Sequence, residues 1–205
     1  MELTIAQQDS LTELINIGYG RAASALSDLT GHRIDLEVPK VVMHEIHEIS
    51  PILSSVVSGE VASVTQIFSG PIGGNALLLL DEQAALMLSR LLTDVDTGTS
   101  GLDTTSREII TEVGNIVLNA CLGVFGNLLQ VQVAFAVPRL RVEGVEAILQ
   151  SIVVNDEELR YALMIHTRFY LRAGNVRGYL VIILGITSLD RLLEEVTKWE
   201  ERQRL

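Results

Sequence analysis

The sequence predicts a fold of helices and strands built as two related halves that share one core. Three observations predict it. The pair Glu13 and Asn16, within DSLTELINIGYGRAASALSDL, recurs as Glu112 and Asn115, within REIITEVGNIVLNACLGVFGNL, 99 positions later. Pro39 follows Asn16 by 23 positions, and Pro138 follows Asn115 by the same 23. Each half also runs through the same patterns in order: one long helix, several strands, a glycine turn, an apolar strand and a shorter helix.

Composition narrows the class. Of 205 residues 48% are hydrophobic and only 4% aromatic, so a core is affordable and must be made of Leu, Val, Ile and Ala. A formal net charge of −11 disfavours non-specific nucleic-acid binding, which depends on Lys and Arg neutralising phosphates. It favours solubility and a protein partner with a complementary local patch. The single cysteine, Cys121, allows no internal disulfide and fits a reducing compartment. No basic segment followed by an apolar run opens the chain. The apolar tract at 76–88 is cut by Asp81, Glu82 and Gln83, whereas a membrane span needs about 20 uninterrupted apolar residues. The expectation is a cytoplasmic protein without membrane insertion.

In chain order, residues 4 to about 30 read as a long helix. Thr4 with Gln7 forms a capping-box signature, and Gly31 is a terminator. Leu11, Leu14, Ile15, Ile17 and Leu26 keep near-helical spacing, while Asp9, Glu13 and Asn16 fall at i, i+4 and i+7 on the other face. Gly18, Gly20, Ala22, Ala23 and Ala25 make the second half of this helix small. A helical glycine costs roughly 1 kcal/mol, so the pattern predicts close approach of another backbone. Strands are expected at 34–47, 56–68 and 73–80, the last two joined by a turn at 69–74. The continuous apolar run 76–80 suits a strand covered on both faces. A helix follows from 81 to about 92, and the Thr-, Asp-, Ser- and Gly-rich stretch 93–103 divides halves of about 1–95 and 104–205 within one domain. In the second half Thr105 with Glu108 gives another capping box, opening a helix to about 129. Strands are expected at 131–137, 139–149, 158–171 and 177–185, with turns at Asn155-Asp156-Glu157 and Ala173-Gly174-Asn175, and a last helix from 188 to near 204.

A single Glu–Asn pair three residues apart on a helix is ordinarily a solvated surface. Its recurrence in register argues for function, because Asn is a mediocre helix former with no local reason to sit mid-helix. An Asn amide donates and accepts at once, so it can hold a water in line with an electrophile, as the glutamine of GTPases does in phosphoryl transfer. A neighbouring Glu can grip a lysine or a metal shell on the molecule that carries the phosphate. Such chemistry needs no phosphate cradle on this chain.

Other candidates fail on chemistry. The run Gly70–Gly74 lacks the Lys and Ser/Thr of a P-loop. His44 and His47, three apart on an expected strand, point to opposite faces and cannot share a metal. Cys121 is in register with Ala22 on the small-residue face, which reads as packing. Ser10 and Ser106 lack a nucleophile elbow, and 156–158 reads as a solvated acidic turn.

These residues resemble the CheC family of chemotaxis phosphatases, whose motif runs Asp or Ser, three residues, Glu, two residues, Asn, 22 residues, Pro. Asp9, Glu13, Asn16 and Pro39 match it; Glu112, Asn115 and Pro138 match it again, with Glu108 in place of Asp or Ser. The resemblance implies a pseudo-two-fold α+β fold, with a shared, mainly antiparallel sheet and two long helices that carry the sites. It implies hydrolysis of the aspartyl phosphate of the response regulator CheY, with Asn16 and Asn115 positioning the water and Glu13 and Glu112 docking the regulator's lysine. It implies no cofactor of the chain's own, the Mg2+ belonging to the phosphorylated partner. It further implies CheD and the flagellar switch as possible partners, so a non-catalytic adaptor is the alternative reading.

Overall fold

Two helices of 26 residues each, α1 (Ile5–Thr30) and α4 (Thr104–Leu129), organise the chain. The structure is a computed structural model that describes residues 3–37, 41–57, 59–93, 101–153, 159–171 and 174–203. At the start of α1 the Thr4 hydroxyl accepts the Gln7 N–H at 3.2 Å, and the Thr4 N–H donates to the Gln7 side chain at 3.0 Å. At its end Gly31 adopts the left-handed conformation at φ 68°, and its N–H reaches the Ser27 carbonyl. The start of α4 differs from the sequence expectation. Its cap is Asp103, whose carboxylate accepts the Ser106 N–H at 2.8 Å, so Thr105 lies inside the first turn. The hydrogen bonds from Ser106 hold the Asp103 carboxyl below its ordinary value.

The remaining elements are β1 (Asp35–Leu36), β2 (Val41–Glu45), α2 (Ile46–Val56), β3 (Glu60–Ser69), β4 (Gly74–Asp81), α3 (Glu82–Thr93), β5 (Ala134–Phe135), β6 (Arg139–Gly144), α5 (Val145–Val153), β7 (Leu159–Leu171), β8 (Gly174–Gly185) and α6 (Ile186–Gln203). Among the described residues eight strands form one sheet in the order β1-β7-β8-β4-β3-β5, with β2 also on β7 and β6 also on β3. Every pairing is antiparallel. The order reads the same from either end once the halves are exchanged. Register repeats too: Leu36 lies opposite Phe169 and Phe135 opposite Phe68, while Val41 faces Ile165 and Leu140 faces Val64. The fold is therefore α+β and pseudo-two-fold, with the axis between β4 and β8. The short outer strands of each half pair with the hairpin of the other.

Both faces of the sheet are covered. On one, α1, α3, α4 and α6 bury Leu14, Ile15, Val117, Phe125 and Leu192 against Val64, Leu78, Ile165 and Ile182. On the other, Ile49, Leu53, Val145 and Ile148 of α2 and α5 cover Val61, Leu79, Met164 and Val181. Double coverage is why 76–80 is apolar without alternation. The helices α2 and α5 occupy segments that the sequence reading placed partly in strands, over 34–47 and 139–149. α4 is long and apolar enough to cross a membrane by length and composition. Here its Ile110, Val117, Leu118 and Phe125 lie in the core.

Close approach of the two long helices occurs at Gly18. A Cβ there would stand 2.8 Å from the Cys121 Cα and 3.2 Å from the Ala120 carbonyl oxygen, so only hydrogen fits. At Gly20 a Cβ would meet nothing within 4 Å, so the sequence expectation holds at one glycine of the pair. Gly18→Ala is expected to lower the unfolding free energy by roughly 1–3 kcal/mol in urea titration, because backbone must move to admit the methyl. Gly20→Ala should leave stability unchanged or raise it by up to about 1 kcal/mol. The capping role of Asp103 predicts a pH signature as well. A carboxyl whose folded value is depressed adds stability above the ordinary Asp value of about 3.9, and that contribution is lost as the pH falls through the lower folded value. The urea midpoint of Asp103→Ala should therefore lie below that of the parent chain at neutral pH and converge with it in acid.

Candidate functional site

On α1, Leu11, Leu14 and Ile15 turn into the core, which leaves Asp9 and Glu13 exposed and Asn16 half-buried at the edge of the packed face. On α4 the same periodicity buries Ile110 and Val113, leaving Glu108 and Glu112 exposed and Asn115 half-buried. Both pairs thus lie on helices covering the same face of the sheet. Asp9 and Glu13 line a groove with Leu128 at the end of α4 and Trp199 and Glu200 of α6. Asn16 lines the neighbouring groove with Tyr19, Gly20 and Leu36. Glu108 and Glu112 line a groove with Leu26 and Leu29 at the end of α1 and Leu92 of α3. Each carboxylate pair therefore stands beside the last turn of the other long helix, and the two sites occupy opposite ends of the helix pair.

The asparagines differ in their surroundings. The Asn115 carbonyl accepts a hydrogen bond from the Asn119 amide at 2.6 Å, and the Asn119 carbonyl accepts one from the Gln66 amide of β3 at 3.0 Å. The same Gln66 nitrogen also donates to the Ala136 carbonyl at 3.1 Å. The sequence reading named neither Asn119 nor Gln66. A signal for Asn119 was present: it is a second asparagine mid-helix, one turn beyond Asn115 on the same face. Gln66 is a buried polar residue of β3, 2% exposed.

The residues set aside from sequence take these positions. His44 lies on β2 and His47 in the first turn of α2, not on one strand as expected; their rings face Glu48 at 3.7 Å and Glu45 at 3.4 Å. Among the described residues no three His, Cys, Asp or Glu side chains gather as ligands for a metal. Ser10 and Ser106 are buried. Residues 69–74 connect β3 to β4 as a hairpin. Pro138 directly precedes β6, whereas Pro39, most of the stretch 93–103, Asn155-Asp156-Glu157 and Ala173 lie outside the described residues. Cys121 is fully buried, and burial pushes its thiol well above the ordinary range. It should resist modification by an aromatic disulfide reagent in the native protein at pH 8 and react once denaturant is added. Fast native labelling would place the thiol outside the helix crossing.

A model of the CheC-like family matches residues 7–43, the segment that holds Asp9, Glu13 and Asn16. Over 192 residues the chain is 26% identical to the CheY-P phosphatase CheC of Bacillus subtilis (strain 168), covering 91% of each chain. In fold it is similar to Thermotoga maritima FliY, with a TM-score of 0.78 at 20% identity over 97% of this chain and 100% of that one. It is also similar in fold to the FliM middle domain of H. pylori, with a TM-score of 0.64 at 14% identity over 94% and 99%.

Proposed function

We propose that this chain is a CheC-type protein that hydrolyses the aspartyl phosphate of a CheY-type response regulator at two pseudo-symmetric sites. The observation that carries the reading is the repeated turn itself. In both long helices an exposed Glu precedes a half-buried Asn by three residues, in a chain related to a CheY-P phosphatase along 91% of its length. Asn16 and Asn115 hold the attacking water. Its oxygen attacks the phosphorus, the bond from phosphorus to the aspartyl oxygen breaks, and the products are inorganic phosphate and the regenerated carboxylate. Glu13 and Glu112, exposed at the groove rims, dock a lysine of the regulator. The phosphoryl group, and the Mg2+ that neutralises it, arrive with the regulator, so this chain needs only to place a water and grip its partner. The reaction sits in the cytoplasm, where such a regulator is found.

The test is the decay of phosphorylated regulator in the presence of Asn16→Ala, Asn115→Ala and the double variant. Each single variant should retain part of the stimulated rate. The double variant should lose it roughly 100-fold, towards the regulator's own decay. An undiminished rate in the double variant would overturn the proposal. A chain that binds regulator, CheD or switch components without speeding decay would be the adaptor instead.

A further inference from the structure

The hydrogen bonds behind Asn115 have a direction, and one atom sets it. A backbone carbonyl oxygen can only accept, so the group of Gln66 that faces the Ala136 carbonyl at 3.1 Å must be its NH2. The same nitrogen donates to Asn119 at 3.0 Å, which makes that Asn119 atom the carbonyl oxygen. The Asn119 NH2 then faces Asn115 at 2.6 Å, and the atom it meets must be the Asn115 carbonyl oxygen. With its carbonyl engaged by Asn119, Asn115 keeps its NH2 and the second lone pair of that carbonyl uncommitted among the described hydrogen bonds. Reversing the chain would set the Gln66 oxygen against the Ala136 oxygen. The arrangement is kept although it leaves the Gln66 carbonyl oxygen buried without a partner among the described residues, an expensive state for a group 2% exposed.

The first copy is built differently. The position matching Asn119 is Gly20, which has no side chain and open space around it. By strand register, Gln66 stands two before Phe68, opposite Phe135, and its counterpart Thr167 stands two before Phe169, opposite Leu36. Thr167 is hydrogen-bonded to the Tyr19 hydroxyl, and among the described residues no hydrogen bond continues from there to Asn16. The buried polar tie from sheet to helix thus exists in both halves, but only in the second does it end on the site asparagine.

We infer that Asn119 and Gln66 are positioning residues that fix the amide polarity of Asn115, so that its NH2 meets a phosphoryl oxygen while its carbonyl accepts from the attacking water. The inference rests on the proposed phosphatase reading. In an Asn16→Ala background, which isolates the second site, Asn119→Ala should lower kcat roughly tenfold with little change in KM, since docking by Glu112 is untouched. Gln66→Met, similar in volume but without the donor, should act in the same direction. In an Asn115→Ala background, Asn119→Ala should leave the remaining rate unchanged, which general destabilisation would not do. Independently of turnover, the side-chain NH2 resonances of Asn115 should be sharp and distinct in the parent and collapse towards free-amide values in Asn119→Ala. If kcat and those resonances are unmoved while the Asn16→Ala, Asn115→Ala double variant is inactive, the positioning role is wrong and the phosphatase reading stands. If the double variant is fully active, the phosphatase reading fails, and the resonances alone decide whether the polarity is set.

Discussion

The arrangement depends on the contact between α1 and α4 at Gly18, where backbone meets backbone. An added Cβ would lie 2.8 Å from the Cys121 Cα, so the spacing of the helix pair is set by the absence of a side chain. The placing of both candidate sites follows from that spacing. With the helices this close and running in opposite directions, the last turn of each reaches the carboxylates of the other, as Leu128 does for Glu13 and Leu29 for Glu112. The neighbouring core positions, Ala22 and Cys121, are small for the same reason, and their burial is complete. A larger residue at the crossing would spread the pair and move both grooves together.

The sheet imposes a second constraint. The outer strands of each half pair with the hairpin of the other, so the paired registers at Leu36 and Phe169 and at Phe135 and Phe68 require both halves to be in place. These are contacts between residues far apart in the chain, and they hold the helices over the centre of the sheet. Under such a constraint duplication preserves backbone geometry while side chains diverge. One such difference lies where sheet meets helix. One half ties Thr167 to Tyr19, and the other ties Gln66 to Asn119 and through it to Asn115.

Much of this was legible in the sequence because the signals were local. Thr4 and Gln7 cap α1 as their spacing predicts, Gly31 ends it in the left-handed conformation, and 76–80 is an inner strand as its unbroken apolar run implies. What was not legible depended on distant contacts. The helices α2 and α5 are short and rich in Ile and Val, α2 contains Pro51, and both owe their helicity to packing on the second face of the sheet. The cap of α4 was misassigned because Thr105 and Asp103 both suit the role, and only the Ser106 N–H decides between them. The two Glu–Asn pairs could be singled out from their echo. The polarity of Asn115 could not, because it is set by a carbonyl 21 residues away and a strand residue 49 away.

That separation bears on how the fold should be read. The same architecture occurs in FliY and in the FliM middle domain at 20% and 14% identity, and a fold by itself does not specify chemistry. What a scaffold of this kind fixes is the position of two helical turns; what those turns do depends on whether an amide and a carboxylate stand there. On the proposed reading, an asparagine also needs its two ends told apart before it can treat water and phosphate differently. A buried amide chain anchored on a backbone carbonyl does this without charge and without a metal, because the carbonyl cannot change its polarity. The Gln66 oxygen, buried without a partner among the described residues, is the unfavourable side of that arrangement.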